Sequence, residues 1–113
     1  TLSGGGGDDK FILSNGFGTD TITGGESGET SGDSILARGA TGNLTVTYTG
    51  NEAGTITDGS NTATFSQIER VVVGAGNDTM NAAAATTAVY LDGSAGNDTL
   101  TGGSGNDTLI GDG

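Results

Sequence analysis

Carboxylates that follow glycine-rich stretches are the side chains of this sequence with the clearest chemistry. Asp78, Asp98 and Asp107 each follow a Gly-Asn pair and precede a threonine and an apolar residue. Calcium takes six to eight hard oxygen ligands, and such a turn offers backbone carbonyls together with one carboxylate. Two stacked turns would complete a coordination shell. The pattern therefore predicts a calcium-binding protein.

Composition argues against catalysis by the common side-chain nucleophiles. The chain has no histidine and no cysteine, so a serine would have no imidazole base, and disulfides and the usual zinc sites are excluded. Carboxylate pairs that suit glycoside hydrolysis exist, but every good pair lies in a glycine-rich turn where a metal explains it better. Asp58 beside Gly59 is typical of a hairpin turn only. We predict that the chain is not an enzyme.

The carboxylates belong to a repeated unit of nine residues, in which glycines dominate the first four positions. The sixth residue is acidic and the eighth is apolar. The units are 4–12 (GGGGDDKFI), 15–23 (NGFGTDTIT), 73–81 (VGAGNDTMN), 93–101 (GSAGNDTLT) and 102–110 (GGSGNDTLI). A looser unit begins at Gly24 and runs through an enlarged turn to Asp33, Ser34 and Ile35. The first six residues of a unit predict a turn and the last three a short strand.

One unit is too small to fold alone, so the units must stack. The eighth residue of each unit points inward. The expected core residues are Phe11, Ile22, Ile35, Met80, Leu100 and Leu109.

This pattern resembles the calcium-binding nonapeptide repeat of the RTX family of secreted bacterial proteins. The resemblance covers roughly residues 4–36 and 73–113. It implies an all-β fold, a right-handed parallel β-roll of short strands and glycine-rich turns. We expect N-terminal repeats in 1–36, a longer-stranded β section in 37–72 and C-terminal repeats in 73–113, together forming one continuous roll.

The middle section carries strand signals without the repeat. Residues 44–49 (LTVTYT) alternate apolar and polar side chains, and 55–57 and 62–65 flank the Asp58-Gly59 turn as a hairpin. Residues 68–73 (IERVVV) predict another strand. We expect the charged side chains near these strands to be solvated: Lys10, Arg38, Glu52, Glu69 and Arg70.

The resemblance also implies a ligand rule. One turn gives the carbonyls of its second and fourth residues and its acidic side chain. The next turn on the same side, two units further on, gives the carbonyls of its first and third residues and its own acid. The best site carried over combines Gly74, Gly76 and Asp78 with Gly93, Ala95 and Asp98.

Four further sets follow from the same rule. One combines Ser94, Gly96 and Asp98 with Gly111 and Gly113, and another begins with Gly103, Gly105 and Asp107. At the N-terminus, Gly5, Gly7 and Asp9 pair with Gly24, Glu26 and either Glu29 or Asp33. Gly16, Gly18 and Asp20 form the last set.

Charge connects these sites to function. The 14 acidic residues outnumber the 3 basic ones, for a net charge of −11, and apolar residues are few, so the chain needs cations to fold. The resemblance implies a calcium-triggered folding module of a type I-secreted bacterial protein, extracellular, whose partners are calcium and neighbouring repeats. The charge and the lack of a long apolar run argue against nucleic acid and membrane insertion. The alternatives are a spacer or adhesin segment at the cell surface, or an accessory module of a carbohydrate-active enzyme.

Overall fold

The computed structural model describes residues 1–112, which form twelve β-strands and contain no helix. The strands in chain order are β1 (Leu2–Ser3), β2 (Lys10–Ser14), β3 (Thr19–Thr23), β4 (Ser34–Gly39), β5 (Thr45–Gly50), β6 (Ala53–Thr57), β7 (Thr62–Ser66), β8 (Arg70–Val72), β9 (Thr79–Asn81), β10 (Tyr90–Asp92), β11 (Thr99–Thr101) and β12 (Thr108–Ile110). Within these residues, a helix able to cross a membrane is accordingly absent.

Two facing sheets make up the fold. The five-stranded sheet has the order β12-β10-β8-β4-β2 and is parallel throughout. The seven-stranded sheet has the order β1-β3-β7-β6-β5-β9-β11. Outside the middle section, the chain passes from one sheet to the other after every strand. The predicted all-β roll is confirmed.

The middle section builds an antiparallel meander into the seven-stranded sheet. β5 pairs antiparallel with β6, and β6 with β7, while β7 lies parallel to β3 and β5 parallel to β9. The predicted hairpin is confirmed, since Thr57 pairs with Thr62 and the Asp58 carboxylate accepts the backbone N–H groups of Ser60 and Asn61. The meander adds two strands to one sheet without interrupting the other.

The core lies between the sheets, where inward residues of alternating strands meet. Of the predicted core residues, Phe11, Ile22, Ile35 and Met80 are buried. Leu100 is half-buried and packs against the core. The prediction for Leu109 is wrong, since its side chain is 43% exposed. β12 is the outermost strand of its sheet, so only one neighbouring strand covers it.

Candidate metal centre

The turns between the sheets gather along two edges of the roll. The first edge carries the turns that lead from the seven-stranded to the five-stranded sheet: 4–9, 24–33, 67–69, 82–89 and 102–107. The second edge carries the turns in the opposite direction: 15–18, 40–44, 73–78 and 93–98. Because parallel strands stack in register, equivalent residues of neighbouring turns lie side by side.

On the second edge, the structure brings together the two turns of the best predicted site. The N–H of Asp78 donates to Oδ1 of Asp98 at 2.8 Å. Between the same turns, Gly76 N donates to the carbonyl of Ala95 at 3.1 Å, and Ala95 N to the carbonyl of Gly74 at 3.3 Å. The predicted pairing of these turns is therefore confirmed.

On the first edge, the turns of Asp9 and Asp33 are stacked in the same way. The N–H of Asp9 donates to Oδ1 of Asp33 at 2.6 Å, and Gly5 N donates to the carbonyl of Gly24 at 3.0 Å. Lys10 pairs with Ser34, which puts Asp33 beside Asp9 in the sheet register. Of the two open alternatives, Asp33 therefore occupies the aspartate position, and Glu29 lies within the enlarged turn.

The same bond, from a backbone N–H to a side-chain oxygen, recurs along both edges; the acceptor is a carboxylate in every case except Asn61. The residue before each of β2, β3, β4, β5, β9 and β10 donates its N–H to the side chain at the equivalent position of a neighbouring turn. Further donors and acceptors of this kind are Leu44 N to Asp78 Oδ1, Val89 N to Asp107 Oδ1, Asp33 N to Glu69 Oε2 and Gly18 N to Asn61 Oδ1. This bond fixes one oxygen of each acidic side chain and leaves the other for a further ligand.

One carboxylate oxygen is buried and unsatisfied in each of four aspartates. Oδ2 has no hydrogen-bond partner in Asp9, Asp33, Asp78 and Asp98. A buried carboxylate oxygen without a partner costs on the order of several kcal/mol, so these positions favour a bound ligand. A calcium ion supplies it, because calcium accepts carboxylate and backbone carbonyl oxygens together.

Glycine at the start of a turn makes room for this carboxylate. A Cβ on the first glycine would collide with Oδ2 of the aspartate that closes the same turn. The pairs are Gly4 with Asp9, Gly24 with Asp33, Gly93 with Asp98 and Gly102 with Asp107. Glycine at the first position of a turn therefore lets the aspartate that ends the turn place its carboxylate against the turn's own backbone.

The protein's own cations do not neutralise these groups. Within residues 1–112, the single ion pair joins the N-terminal ammonium to Asp20 at 3.9 Å. Burial raises the pKa of the Asp78 carboxyl, and the nearby Asp98 carboxylate raises it further. Both effects oppose ionisation in the absence of a cation, and a bound divalent ion reverses both.

The remaining predicted sets are placed differently. Asp20 lies inside β3 opposite Ala63, so its predicted position in a turn with Gly16 and Gly18 is wrong. β3 begins already at Thr19, two residues earlier than the repeat pattern indicates, and Asn61 takes the acceptor position beside Gly18.

The two C-terminal sets lie at the end of the roll. Gly96, Asp98 and Gly111 line an open hollow beside the 93–98 turn, and Gly113 lies outside the described residues. Gly103 and Gly105 pack against the backbone of the 82–89 turn, and Asp107 binds Val89 N. Asp98 thus contacts the paired turn through Oδ1 and is also one of the residues that line the hollow.

Glu69 is a residue that sequence reasoning missed. It was expected to be solvated, but its Oε2 accepts the Asp33 N–H, and the pairing of Ser34 with Arg70 puts it in the aspartate register. The signal was its position directly before a strand, as in the nonapeptide unit. Its turn is only three residues long, which hid the correspondence.

Comparison with known proteins agrees with this geometry. A parallel β-roll with unsatisfied carboxylates in stacked glycine-rich turns defines a calcium-binding solenoid. Residues 1–19, 66–85 and 90–113 match the RTX calcium-binding nonapeptide repeat, in four copies, and the chain belongs to this family. No curated protein and no solved structure matches the chain significantly.

Replacing Asp98 should weaken calcium binding more than replacing Asp107. Asp98→Asn keeps an oxygen for the Asp78 N–H but removes the charge from a buried, unsatisfied carboxylate that two stacked sites would share. Asp107→Asn makes the same change in a turn that is paired with only one neighbouring turn, 82–89, so its carboxylate is not shared between two sites. Isothermal titration calorimetry of both variants should show a loss of at least tenfold in the affinity of one site for Asp98→Asn and a smaller loss for Asp107→Asn. Equal losses would mean that the turns do not share ions in this way.

Proposed function

We propose that this chain is a calcium-induced folding module, without catalytic activity of its own, in a protein that acts outside the cell. The observation that carries the proposal is the set of buried Oδ2 atoms on Asp9, Asp33, Asp78 and Asp98 that have no hydrogen-bond partner. A bound cation satisfies these atoms and neutralises their charge. The folded roll therefore depends on the ion.

The best site is formed by the turns 73–78 and 93–98. The carboxylates of Asp78 and Asp98 supply charge, and carbonyls of Gly74, Gly76, Gly93 and Ala95 supply neutral ligands. A corresponding site uses Asp9 and Asp33 with carbonyls of Gly5, Gly7, Gly24 and Glu26. In each case the ion bridges two turns that are far apart in the unfolded chain, so binding and stacking occur together.

Linkage gives the size of the effect. A site that exists only in the folded state stabilises it by about 2.7 kcal/mol when free calcium is a hundred times the dissociation constant. Two such sites reach about 5 kcal/mol, which equals the total stability of many small domains. A chain of net charge −11 is therefore expected to be unfolded in low calcium and folded in high calcium.

An extracellular setting follows from the same reasoning. Members of the family are typically found in secreted proteins, and millimolar calcium is available outside cells. The absence of cysteine removes disulfides as a means of stabilising the fold there, which leaves the ions as the cross-links. The absence of histidine and cysteine supports a role without catalysis.

Circular dichroism with and without calcium tests this function. In excess chelator the spectrum should be that of a largely disordered chain, and millimolar calcium should produce the β signal cooperatively. Magnesium at the same concentration serves as the control and should substitute poorly, because it demands a tight octahedral shell. A complete β spectrum in chelator would show that the ions do not drive folding.

A further inference from the structure

All four glutamates of the chain converge on one place at the first edge. Carboxylate oxygens of Glu26, Glu52 and Glu69 lie within 4.8 Å of one another. Oxygens of Glu29, Asp33 and Glu69 do so as well, with Glu69 common to both groups. The chain has no other glutamate. Together these five residues are called the glutamate cluster.

The residues of the cluster come from three separate turns between strands. Glu26, Glu29 and Asp33 come from the enlarged turn between β3 and β4. Glu52 comes from the β5–β6 turn of the meander, and Glu69 from the short β7–β8 connection. Backbone bonds hold these segments together, because Ile68 N donates to the Glu52 carbonyl at 3.0 Å and Asp33 N to Glu69 Oε2 at 2.6 Å.

Unsatisfied buried atoms within the cluster point to a ligand. Asp33 is fully buried, and its Oδ2 has no hydrogen-bond partner. The proposed Asp9–Asp33 site uses the same oxygen, so Asp33 links that site to the cluster. Oε1 of Glu29 is also buried without a partner. No lysine or arginine forms an ion pair with the cluster in residues 1–112. A divalent cation stabilises like charges that are held together in this way.

We infer that the glutamate cluster binds calcium at a site outside the nonapeptide rule, with Glu69 as a ligand shared between two adjacent ion positions. The proposal relies on the calcium chemistry of the repeats but not on calcium-triggered folding. The ligands are side-chain carboxylates, where the repeat sites combine carbonyls with aspartate. Calcium suits them because it accepts carboxylates in one- or two-oxygen binding and tolerates irregular geometry.

The site has a structural consequence. Its ligands belong to the roll on one side and to the antiparallel meander on the other. A bound ion therefore fastens the meander to the roll at the first edge. Without the ion, the carboxylates of Glu52 and Glu69 repel those of the enlarged turn. Docking of the meander then depends on calcium, although the meander contains no nonapeptide repeat.

Glu69→Gln tests the proposal most directly. Glutamine keeps an oxygen for the Asp33 N–H but removes the charge that both ion positions share. Native mass spectrometry of the variant in calcium should count at least one ion fewer per chain than the wild type. Asp112→Asn makes the same change of charge at an exposed residue and should keep the full count. An unchanged count and unchanged calorimetric affinities for Glu69→Gln would overturn the proposal.

Asp98→Asn separates this proposal from the proposed function. That variant should lose binding at the second edge and keep the ions of the glutamate cluster. A loss in Asp98→Asn without a loss in Glu69→Gln would reject the cluster alone. The opposite result would reject the repeat site at the second edge and keep the cluster.

Terbium luminescence covers the case in which Glu69→Gln fails to fold. Terbium replaces calcium and emits when a nearby tyrosine is excited. The hydroxyl of Tyr48 donates to the carbonyl of Ile68, next to Glu69, at 3.1 Å. Emission should fall severalfold in Glu52→Gln, a milder change that touches only one of the two groups, and in Tyr48→Phe. Full emission from both Glu52→Gln and Tyr48→Phe would overturn the placement of the ion.

Discussion

Gly74→Ala should destabilise the calcium-bound roll by about 3 kcal/mol, the upper end of what overpacking a filled site costs. A Cβ at this position would lie 2.8 and 2.9 Å from the carbonyl oxygens of Ala37 and Arg38, and closer still to that of Ala40. All three are backbone atoms, so no side chain can move aside. The 73–78 turn would be pushed away from the neighbouring 40–44 turn on the second edge. A calcium site at Asp78 would be lost as a result. Urea denaturation in saturating calcium measures the change in the free energy of unfolding.

Gly42→Ala is the matched control for this prediction. Gly42 also lies in a turn of the second edge, has no atom within 4 Å of an added Cβ and does not have a positive φ. Its free energy of unfolding should stay within about 0.5 kcal/mol of the wild type or rise slightly, because alanine restricts the unfolded chain. If both variants lost stability equally, the loss would come from glycine replacement in general and not from the contact with the carbonyls.

The sequence predicts the repeats of this fold well because their signal is local. A nine-residue period fixes which turns lie on the same side, so the stacking of the Asp78 and Asp98 turns could be inferred from spacing. The hairpin at Asp58 and Gly59 is local as well. The alternation of 44–49 correctly identified Leu44, Val46 and Tyr48 as one buried face. In these places short-range rules agree with the final structure.

The glutamate cluster could not be predicted because it depends on long-range topology. Glu52 meets Glu69 only because the meander returns β7 to the side of β3 and leaves the β5–β6 turn at the first edge. Nothing in the local sequence fixes that order of strands. The predicted turn position of Asp20 was wrong for a related reason, since pairing with β7 extends β3 beyond the length of a repeat strand. The prediction for Leu109 failed because β12 lies at the C-terminal end of the sheet, where only β10 covers it.

The meander also supplies large side chains to the core, so the core is larger than the small number of apolar residues in the sequence suggests. Tyr48 and Phe65 are fully buried and contact each other edge to face, with ring centroids 5.1 Å apart. Tyr48 therefore packs in the core. Such an aromatic pair contributes about 0.5–1.5 kcal/mol beyond the area it buries. The part of the chain without repeats thus contributes the two largest fully buried side chains of the core.

Phe65→Ala should therefore cost roughly 3–5 kcal/mol in saturating calcium, as expected when a buried phenylalanine leaves a cavity. The ring is 1% exposed and packs against Tyr48, and β6 and β3 enclose its strand on both sides, so the site cannot collapse. Phe17→Ala removes the same atoms from a half-buried position in the 15–18 turn and should cost less than half as much. Urea denaturation of both variants at one calcium concentration gives the comparison. Since the calcium sites are linked to the fold, Phe65→Ala should also raise the calcium concentration needed for folding, while Phe17→Ala raises it less. Equal costs for the two phenylalanines would show that the meander does not anchor the core, and that stacking of the ion-bound turns alone holds the two sheets together.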